Sequence, residues 1–217
     1  MPIASGRSTI RAEIDLMEQS LKLMIDSVES YYQRIIDSIN TQIERINQSD
    51  VSSKEKEDIS KPYFNELEEN ESQRYHARNK LFIIIYSICE TSLAGICKHY
   101  NIPLKRSPQN HSRGDYCLSD FLFSIGADYT TNDIANPSYV VYSAIRLLRN
   151  HLTHCGSNKS LASRAVKSMV DMGFIDIINN NGDIHIGNVD MLYNTLNRCN
   201  EMLLISEQIA QNLTSRK

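Results

Sequence analysis

Apolar side chains recur at alternating steps of three and four residues between Arg11 and Asn47, and neither glycine nor proline interrupts them. This spacing predicts one long amphipathic α-helix over residues 11–47. A similar heptad-like pattern occurs in coiled-coil dimers and in the cores of helical bundles, so both arrangements stay open. The predicted inward face comprises Ile14, Met17, Leu21, Met24, Val28, Tyr32, Ile35, Ile39, Ile43 and Ile46.

A polar stretch, QSDVSSKEKEDIS, ends this first helix. Ser60 followed by Pro62 has the form of a helix start, and Asn101 is a plausible end, so a second long helix is predicted over residues 62–100. Two long helices joined by a short polar segment are expected to pack antiparallel.

Shorter elements are predicted from the same signals. Leu118, Phe121, Leu122 and Ile125 form one short helical face. A helix is predicted over about 137–155, opened by Asn136 and Pro137 and closed by Gly156, and another over Ser160–Met172. A β-hairpin over about 174–186 turns near Asn181 and Gly182, and a final helix over about 188–212 is capped by Asn188. The predicted fold is one all-α domain over residues 1–217, an up-and-down helical bundle with two long antiparallel N-terminal helices and a small β-hairpin near the C-terminus.

Composition places the chain among ordinary folded proteins, with 41% hydrophobic and 23% charged residues. The net charge of −3 provides no overall attraction to nucleic acid. The charges are segregated, however. Residues 65–71 are acidic, whereas basic residues collect over 98–113 and 146–167. Any binding of a polyanion is therefore expected in the middle of the chain.

The chain has five cysteines, and none of them is spaced as Cys-x-x-Cys. An odd number without that spacing favours reduced thiols over a disulfide framework or a cysteine zinc site. The N-terminal residues lack the apolar core of a signal peptide, and the run Leu81–Cys89 is shorter than the ~20 residues that a membrane span needs. These features predict a cytoplasmic protein without a membrane segment.

The helix predicted over 137–155 carries an unusual polar cluster in its last turns, RLLRNHLTHCG. Helical spacing aligns an apolar stripe that is expected to face the core, formed by Val141, Ile145, Leu148, Leu152 and Cys155. The opposite face carries Arg146, Arg149, Asn150, Thr153 and His154. His151 falls at the edge of the apolar side, and we interpret it as a packed residue.

Arg149, Asn150 and His154 can converge on this polar face, because residues four apart on a helix are neighbours. Histidine exchanges a proton near neutral pH, and arginine binds phosphate through two hydrogen bonds. RNA supplies its own nucleophile, the 2′-hydroxyl, so a base, an acid and a cationic clamp suffice for cleavage without metal. A second interpretation needs no chemistry, since the negative end of the helix dipole also favours cations there.

The sequence RNHLTH resembles the Arg-Asn-x-x-x-His signature of HEPN domains (higher eukaryotes and prokaryotes nucleotide-binding). The broader HEPN motif, Arg and His separated by four to six residues, occurs three times, at Arg106–His111, Arg146–His151 and Arg149–His154. Only the last has Asn directly after Arg and lies on the polar face of a capped helix. HEPN domains are small helical bundles with two long antiparallel helices before the motif helix, which matches the predicted organisation over most of the chain.

The resemblance implies a metal-independent endoribonuclease without cofactors, active as a homodimer whose two motif helices form one cleft. It implies that Arg149 binds the scissile phosphate, that His154 is the general acid or base, and that Asn150 orients both. Arg146 and Thr153 are candidate substrate contacts. Such enzymes commonly act as toxins or in antiviral defence, with an antitoxin or sensor protein as partner. Other HEPN domains have lost catalysis and serve as RNA-binding or protein-interaction modules.

Several other residues are candidates for supporting roles. Glu90 interrupts an apolar stretch and is expected to pair with Arg149 or Arg146, although a purely structural ion pair is equally compatible with its position. Loop and helix-end charges that would steer RNA are His99, Arg106, His111 and Arg113, and the histidines interpreted as structural are His76 and His185. The usual nucleotide-binding, zinc-peptidase and serine-hydrolase motifs are absent. A non-catalytic adaptor that binds through Ile35 and Ile39 of the first helix is the alternative function.

Overall fold

The computed structural model describes residues 6–108, 116–126, 144–146, 148–150, 152–153, 176–177 and 184–215. The described elements are α1 (Gly6–Gln48), α2 (Ser53–His99), α3 (Leu118–Ile125), β1 (Asp176–Ile177), β2 (Ile184–His185) and α4 (Val189–Ser215). The described chain is mostly helical, which confirms the all-α class. α1, α2 and α4 pack against one another, and α3 packs on α2 and α4.

α1 buries four of the ten residues of the predicted stripe, half-buries five and exposes one. Ile14, Leu21, Ile39 and Ile43 are buried, as predicted, whereas Met24 is 41% exposed. Ile25 is fully buried and Ile36 is buried, although the predicted stripe omits both. The reason is geometric, because a seven-residue repeat drifts slowly around a helix of 3.6 residues per turn.

α2 begins at Ser53 and not at Pro62, which corrects the predicted start. Ser52 forms a capping box with Glu55, in which the Glu55 N–H donates to Ser52 Oγ at 3.4 Å and the Ser52 N–H donates to Glu55 Oε2 at 3.0 Å. Hydrogen bonds from the Ser52 side chain and backbone lower the pKa of Glu55. Pro62 lies inside the helix at an exposed position, where water can reach the backbone carbonyl that it leaves without a donor.

An ion-pair cluster, here called the Glu29 clamp, joins α1 and α2 to the segment before α4. Glu29 accepts hydrogen bonds from Arg74 and Arg78, and Arg78 also donates through Nη1 to the Gly187 carbonyl. Burial acts to raise the pKa of Glu29, but the hydrogen bonds and charges of the two arginines outweigh it and lower that pKa. The clamp fixes where α4 begins relative to the two long helices.

α3 is fixed at its N-terminal end by polar contacts and is closed at its C-terminal end by a glycine. Asp120 is fully buried and accepts hydrogen bonds from the Ser107 N–H at 2.7 Å and from the Cys117 N–H at 3.0 Å, and it pairs with Arg106. Gly126 closes the helix with a φ of 78°, in the left-handed region that glycine adopts without strain. These contacts tie the loop after α2 to α3.

The C-terminal part contains a short antiparallel pairing followed by α4. Asp176 lies opposite His185, and Ile177 lies opposite Ile184, while the predicted turn between the strands is outside the described residues. Asn188 caps α4 as predicted, because its Oδ1 accepts from the Asp190 N–H at 2.8 Å. The helix predicted over residues 160–172 is also outside the described residues.

One helix in the described part of the chain, α2, is long and apolar enough by composition to cross a bilayer, with a mean hydropathy of 1.6 over an 18-residue window. The core helix of a soluble protein meets the same criterion, and 44% of this window is buried inside the structure. Phe82, Ile85 and Leu93 of α2 belong to the same core cluster as residues of α1 and α4. We therefore treat α2 as a core helix.

Candidate active site on the motif segment

The motif segment, residues 144–153, is helical at every position that the structure describes. Ile145 and Leu148 are buried, and Leu152 packs on the core cluster, so the predicted inward stripe is confirmed for these three residues. Val141 and Cys155, the other two members, lie outside the described residues. The apolar contacts anchor the segment and turn its opposite face outward.

Arg149 is the best-defined polar residue of this face. Its guanidinium carbon lies 5.5 Å from the centre of the Tyr86 ring on α2, a cation–π distance. Its Nη1 donates to Asn150 Oδ1 at 3.1 Å, and its buried Nε has no hydrogen-bond partner among the described residues. The guanidinium is thus oriented from two sides, and because Nε is buried, a ligand would have to bind through the terminal Nη groups.

Asn150 and Thr153 are exposed beside this guanidinium. The Thr153 hydroxyl donates to the Arg149 carbonyl at 2.7 Å, a bond within the helix that leaves the hydroxyl oxygen able to accept. Arg146 is half-buried on the same segment. The structure therefore brings together Arg149, Asn150 and Thr153, with Arg146 one turn earlier.

Tyr86 is a site residue that the sequence interpretation missed. Burial is the main cause that raises the pKa of Tyr86, the negative charge of Glu90 adds to it, and the positive charges of Arg146 and Arg149 oppose it. Both arginines and Glu90 therefore lie within electrostatic reach of this phenol. The sequence did contain a feature that could have indicated Tyr86 as a site residue. Tyr86 and Glu90 are four residues apart, which places them on one face of α2.

Glu90 does not make the expected ion pair with Arg149 or Arg146 in the described part of the chain. Its Oε1 accepts instead from the Leu118 N–H at 2.7 Å, at the first residue of α3. The first N–H groups of a helix lack partners within the helix, and its positive dipole end favours a carboxylate. Glu90 therefore caps α3, and its charge acts on the nearby Tyr86.

His154, the predicted acid or base, and His151 lie outside the described residues, so the structure describes neither imidazole. The same holds for His111 and Arg113. Arg106, a predicted steering residue, is engaged structurally, because it pairs with Asp120 and its guanidinium carbon lies 4.2 Å from the centre of the Tyr116 ring.

The remaining histidines lie in aromatic contacts away from the motif segment. His99 packs edge-on against the Tyr100 ring at 4.8 Å between centroids. The His76 and His185 rings are 5.4 Å apart, also edge-on, and His185 is buried next to Asn79. These settings agree with the structural roles expected for His76 and His185.

Within the described ranges, no group of three or more His, Cys, Asp or Glu side chains is arranged to hold a metal ion. The four described cysteines, Cys89, Cys97, Cys117 and Cys199, are free thiols. No family model, curated protein or solved structure matches this chain. The motif segment is therefore the part of the chain whose chemistry bears on function.

Proposed function

We propose that this protein is a metal-independent endoribonuclease of the HEPN type. The observation that carries the proposal is the setting of Arg149, whose guanidinium lies over Tyr86 and donates to Asn150 on a helix face where Asn150 and Thr153 are exposed. An oriented guanidinium suits a phosphodiester, because it can offset the charge that develops on the phosphorane.

In the proposed reaction, a general base removes the proton of the RNA 2′-hydroxyl, and the 2′-oxygen attacks the adjacent phosphorus. The bond from phosphorus to the 5′-oxygen then breaks, and a general acid protonates that oxygen. The products are a 2′,3′-cyclic phosphate and a 5′-hydroxyl. His154 supplies one of the two proton-transfer groups, and its copy in a homodimer supplies the other. Arg149 binds the phosphate, Asn150 orients the guanidinium, and Arg146 and Thr153 contact the flanking backbone.

The proposed biological setting is that of a cytoplasmic toxin or antiviral effector, with RNA as substrate and an antitoxin or sensor protein as partner. No cofactor takes part in the proposed chemistry. The HEPN-like bundle and the composite dimeric cleft belong to this proposal, since they follow from the sequence resemblance.

The experiment is cleavage of tRNA and total RNA in EDTA by the purified protein and by His154→Ala and Arg149→Ala variants. Each substitution is expected to lower the cleavage rate by about 100-fold or more, the range of a lost general acid–base or electrostatic group. Arg198→Ala is the matched control, because Arg198 is an exposed arginine on α4 that pairs with Glu201. Undiminished cleavage by both motif variants, with unchanged circular dichroism, would refute the assignment.

A non-catalytic interaction module is the second candidate, favoured by the apolar residues that α1 exposes. Leu16 is 65% exposed and Leu23 is 67% exposed, seven residues apart on one helix face. Ile39, which the sequence suggested as a contact, is only 4% exposed, so a charge there would disrupt packing within the protein. This alternative predicts that no RNA is cleaved, and that Leu23→Glu, rather than Ile39→Glu, weakens complex formation without lowering stability.

A further inference from the structure

The distal half of the α1–α2 hairpin forms what we call the arm, residues 30–48 of α1 and 53–73 of α2. The main core cluster reaches along α1 only as far as Ile25 and the partly buried Val28, and along α2 it begins at Leu81. Ile36, Ile39 and Ile43 of the arm are buried outside that cluster. Among the described residues, the arm is thus a separate two-helix unit beyond the Glu29 clamp.

The direction of α4 explains why the arm stands alone. α4 starts next to the clamp, and Tyr193 near its beginning donates to Asp26, whereas Asn200 farther along donates to Glu18. Its C-terminal part reaches the far end of α2, where Tyr100 donates to Glu207 at 2.7 Å. α4 therefore runs away from the arm, and in the described chain no third helix covers the arm.

The arm exposes large apolar side chains and a groove. Tyr31 is 55% exposed on α1, and Phe64 and Ile59 on α2 are 52% and 48% exposed. The groove has a volume of about 420 Å³. It is lined by Tyr31, Arg34, Ile35, Ser38, Ile39 and Glu66. A pair of helices buries only the stripe between them, and apolar side chains outside that stripe remain in water unless another layer packs on them.

The charges at the groove indicate what kind of surface could pack on it. Arg34 lines the groove from α1 and Glu66 lines it from α2, so opposite charges flank an apolar floor. Arg34 donates through Nε to the Ser30 carbonyl at 3.1 Å, and within the described residues neither Arg34 nor Glu66 forms an ion pair. A surface that matches this pattern must present an anion opposite Arg34, a cation opposite Glu66 and apolar side chains between them.

A second copy of the same groove can meet all three requirements, because a two-fold axis that brings Arg34 of one copy to Glu66 of the other also brings Glu66 of the first to Arg34 of the second. The contact would extend over roughly 28 Å by 20 Å, from ~19 residues at ~1.5 Å each and two helices of ~10 Å diameter. Both copies together would then bury about 1,100 Å², slightly above the ~1,000 Å² expected of a specific interface. Glu68, Glu69 and Glu71 do not line the groove, so their like charges can stay at the solvated rim.

We propose that the arms of two copies pack groove to groove around a two-fold axis, with Arg34 of each copy facing Glu66 of the other. This interface is distinct from the motif segment, which packs near Tyr86 on the other side of the Glu29 clamp. It is also independent of the ribonuclease proposal, since neither Arg34 nor Glu66 has a part in RNA cleavage.

The test is the mass of the full chain by light scattering and sedimentation, with Arg34→Glu and Glu66→Arg studied singly, mixed and combined. Each single reversal opposes like charges twice at the interface and is expected to halve the assembled mass at micromolar concentration. An equimolar mixture of the two single variants is expected to restore that mass, because every contact in the mixed pair is then attractive. The double variant Arg34→Glu/Glu66→Arg restores it for the same reason.

Matched charge reversals away from the groove, Arg198→Glu on α4 and Glu44→Arg on the opposite side of α1, are expected to leave the mass unchanged. Circular dichroism verifies that each variant keeps its helical content, and the double variant keeps the test valid if one single variant folds poorly. A wild-type chain that stays monomeric, single reversals without effect, or a mixture that fails to reassociate would each overturn the proposal.

Discussion

Glu29 is the residue whose loss tests the packing account most clearly. It accepts four hydrogen bonds from the two arginines of the clamp, at 2.7 Å to 3.0 Å. The Arg78 side chain is 7% exposed and that of Arg74 is 21% exposed. Glu29→Gln preserves the shape but removes the charge, and it directs an amide N–H₂ toward N–H donors.

The cost of that substitution follows from what each arginine can do afterwards. Arg74 can rehydrate in part, because a fifth of its side chain is exposed. Arg78 keeps its bond to the Gly187 carbonyl and its contact with the Tyr75 ring, but it has at best a neutral amide oxygen in place of the carboxylate and stays buried without a counter-ion. Breaking a buried ion pair in this way typically destabilises by about 3 kcal/mol. We expect that loss in the free energy of unfolding.

The assay is urea unfolding at pH 7, followed by far-UV circular dichroism. Glu44→Gln, at an exposed position on the same helix, is the matched control and should change the unfolding free energy by less than about 0.5 kcal/mol. A Glu29→Gln variant within about 0.5 kcal/mol of wild type would refute the claim that the clamp stabilises the fold.

The pH dependence gives a second reading of the same prediction. The pKa of Glu29 is lowered below its ordinary value of 4.5, so the stability that the ionised Glu29 contributes to the folded state is fully present above that pH. The contribution is lost as the pH falls through the lowered pKa of the folded state. The difference between wild type and Glu29→Gln should therefore be constant above pH 4.5 and narrow below it. A difference that grows on acidification would contradict the assignment.

Further predictions concern the site and the core. Tyr86→Phe keeps the ring beneath Arg149 and should cleave RNA within a few-fold of wild type, whereas Tyr86→Leu removes a cation–π contact of about 1 kcal/mol and should slow cleavage by roughly fivefold. Glu90→Gln removes the charged cap from the Leu118 N–H and should lower the unfolding free energy by about 1 kcal/mol in urea unfolding. Burial raises the pKa of Cys97 to about 11. Alkylation of this thiol in the native state should therefore be slow at pH 8 and accelerate only as the pH approaches 11. Rapid labelling at pH 8 would contradict its burial.

Features that depend on neighbouring residues in the chain could be predicted from the sequence. The helical spacing indicated α1, α3, α4 and the inward stripe of the motif segment, and Asn188 was recognisable as a cap. The predicted start of α2 is wrong because the sequence contains two helix-start signals there, Pro62 and the capping box of Ser52 and Glu55, and the helix begins at the capping box. Pro62 is tolerated inside the helix because it lies at an exposed position, where water can bind the backbone carbonyl that loses its donor.

Contacts between distant residues could not be predicted in the same way. The Tyr86 ring under Arg149 and the capping of Leu118 by Glu90 depend on how helices pack. Glu90 was expected to pair with an arginine because a charge within an apolar stretch needs a partner, but periodicity cannot distinguish a guanidinium from a helix N-terminus as that partner. The isolation of the arm likewise depends on where α4 starts, which the clamp determines.

The central claim is RNA cleavage by 2′-hydroxyl attack at the motif segment, and the most direct measurement is the chemistry of the product ends. A labelled RNA is incubated with the purified protein in EDTA, and the 3′ and 5′ ends of the fragments are identified. The account predicts 2′,3′-cyclic phosphate and 5′-hydroxyl ends with wild type, and no such fragments with Arg149→Ala or His154→Ala. Fragments with 3′-hydroxyl and 5′-phosphate ends, or cleavage only when a divalent metal is added, would contradict it.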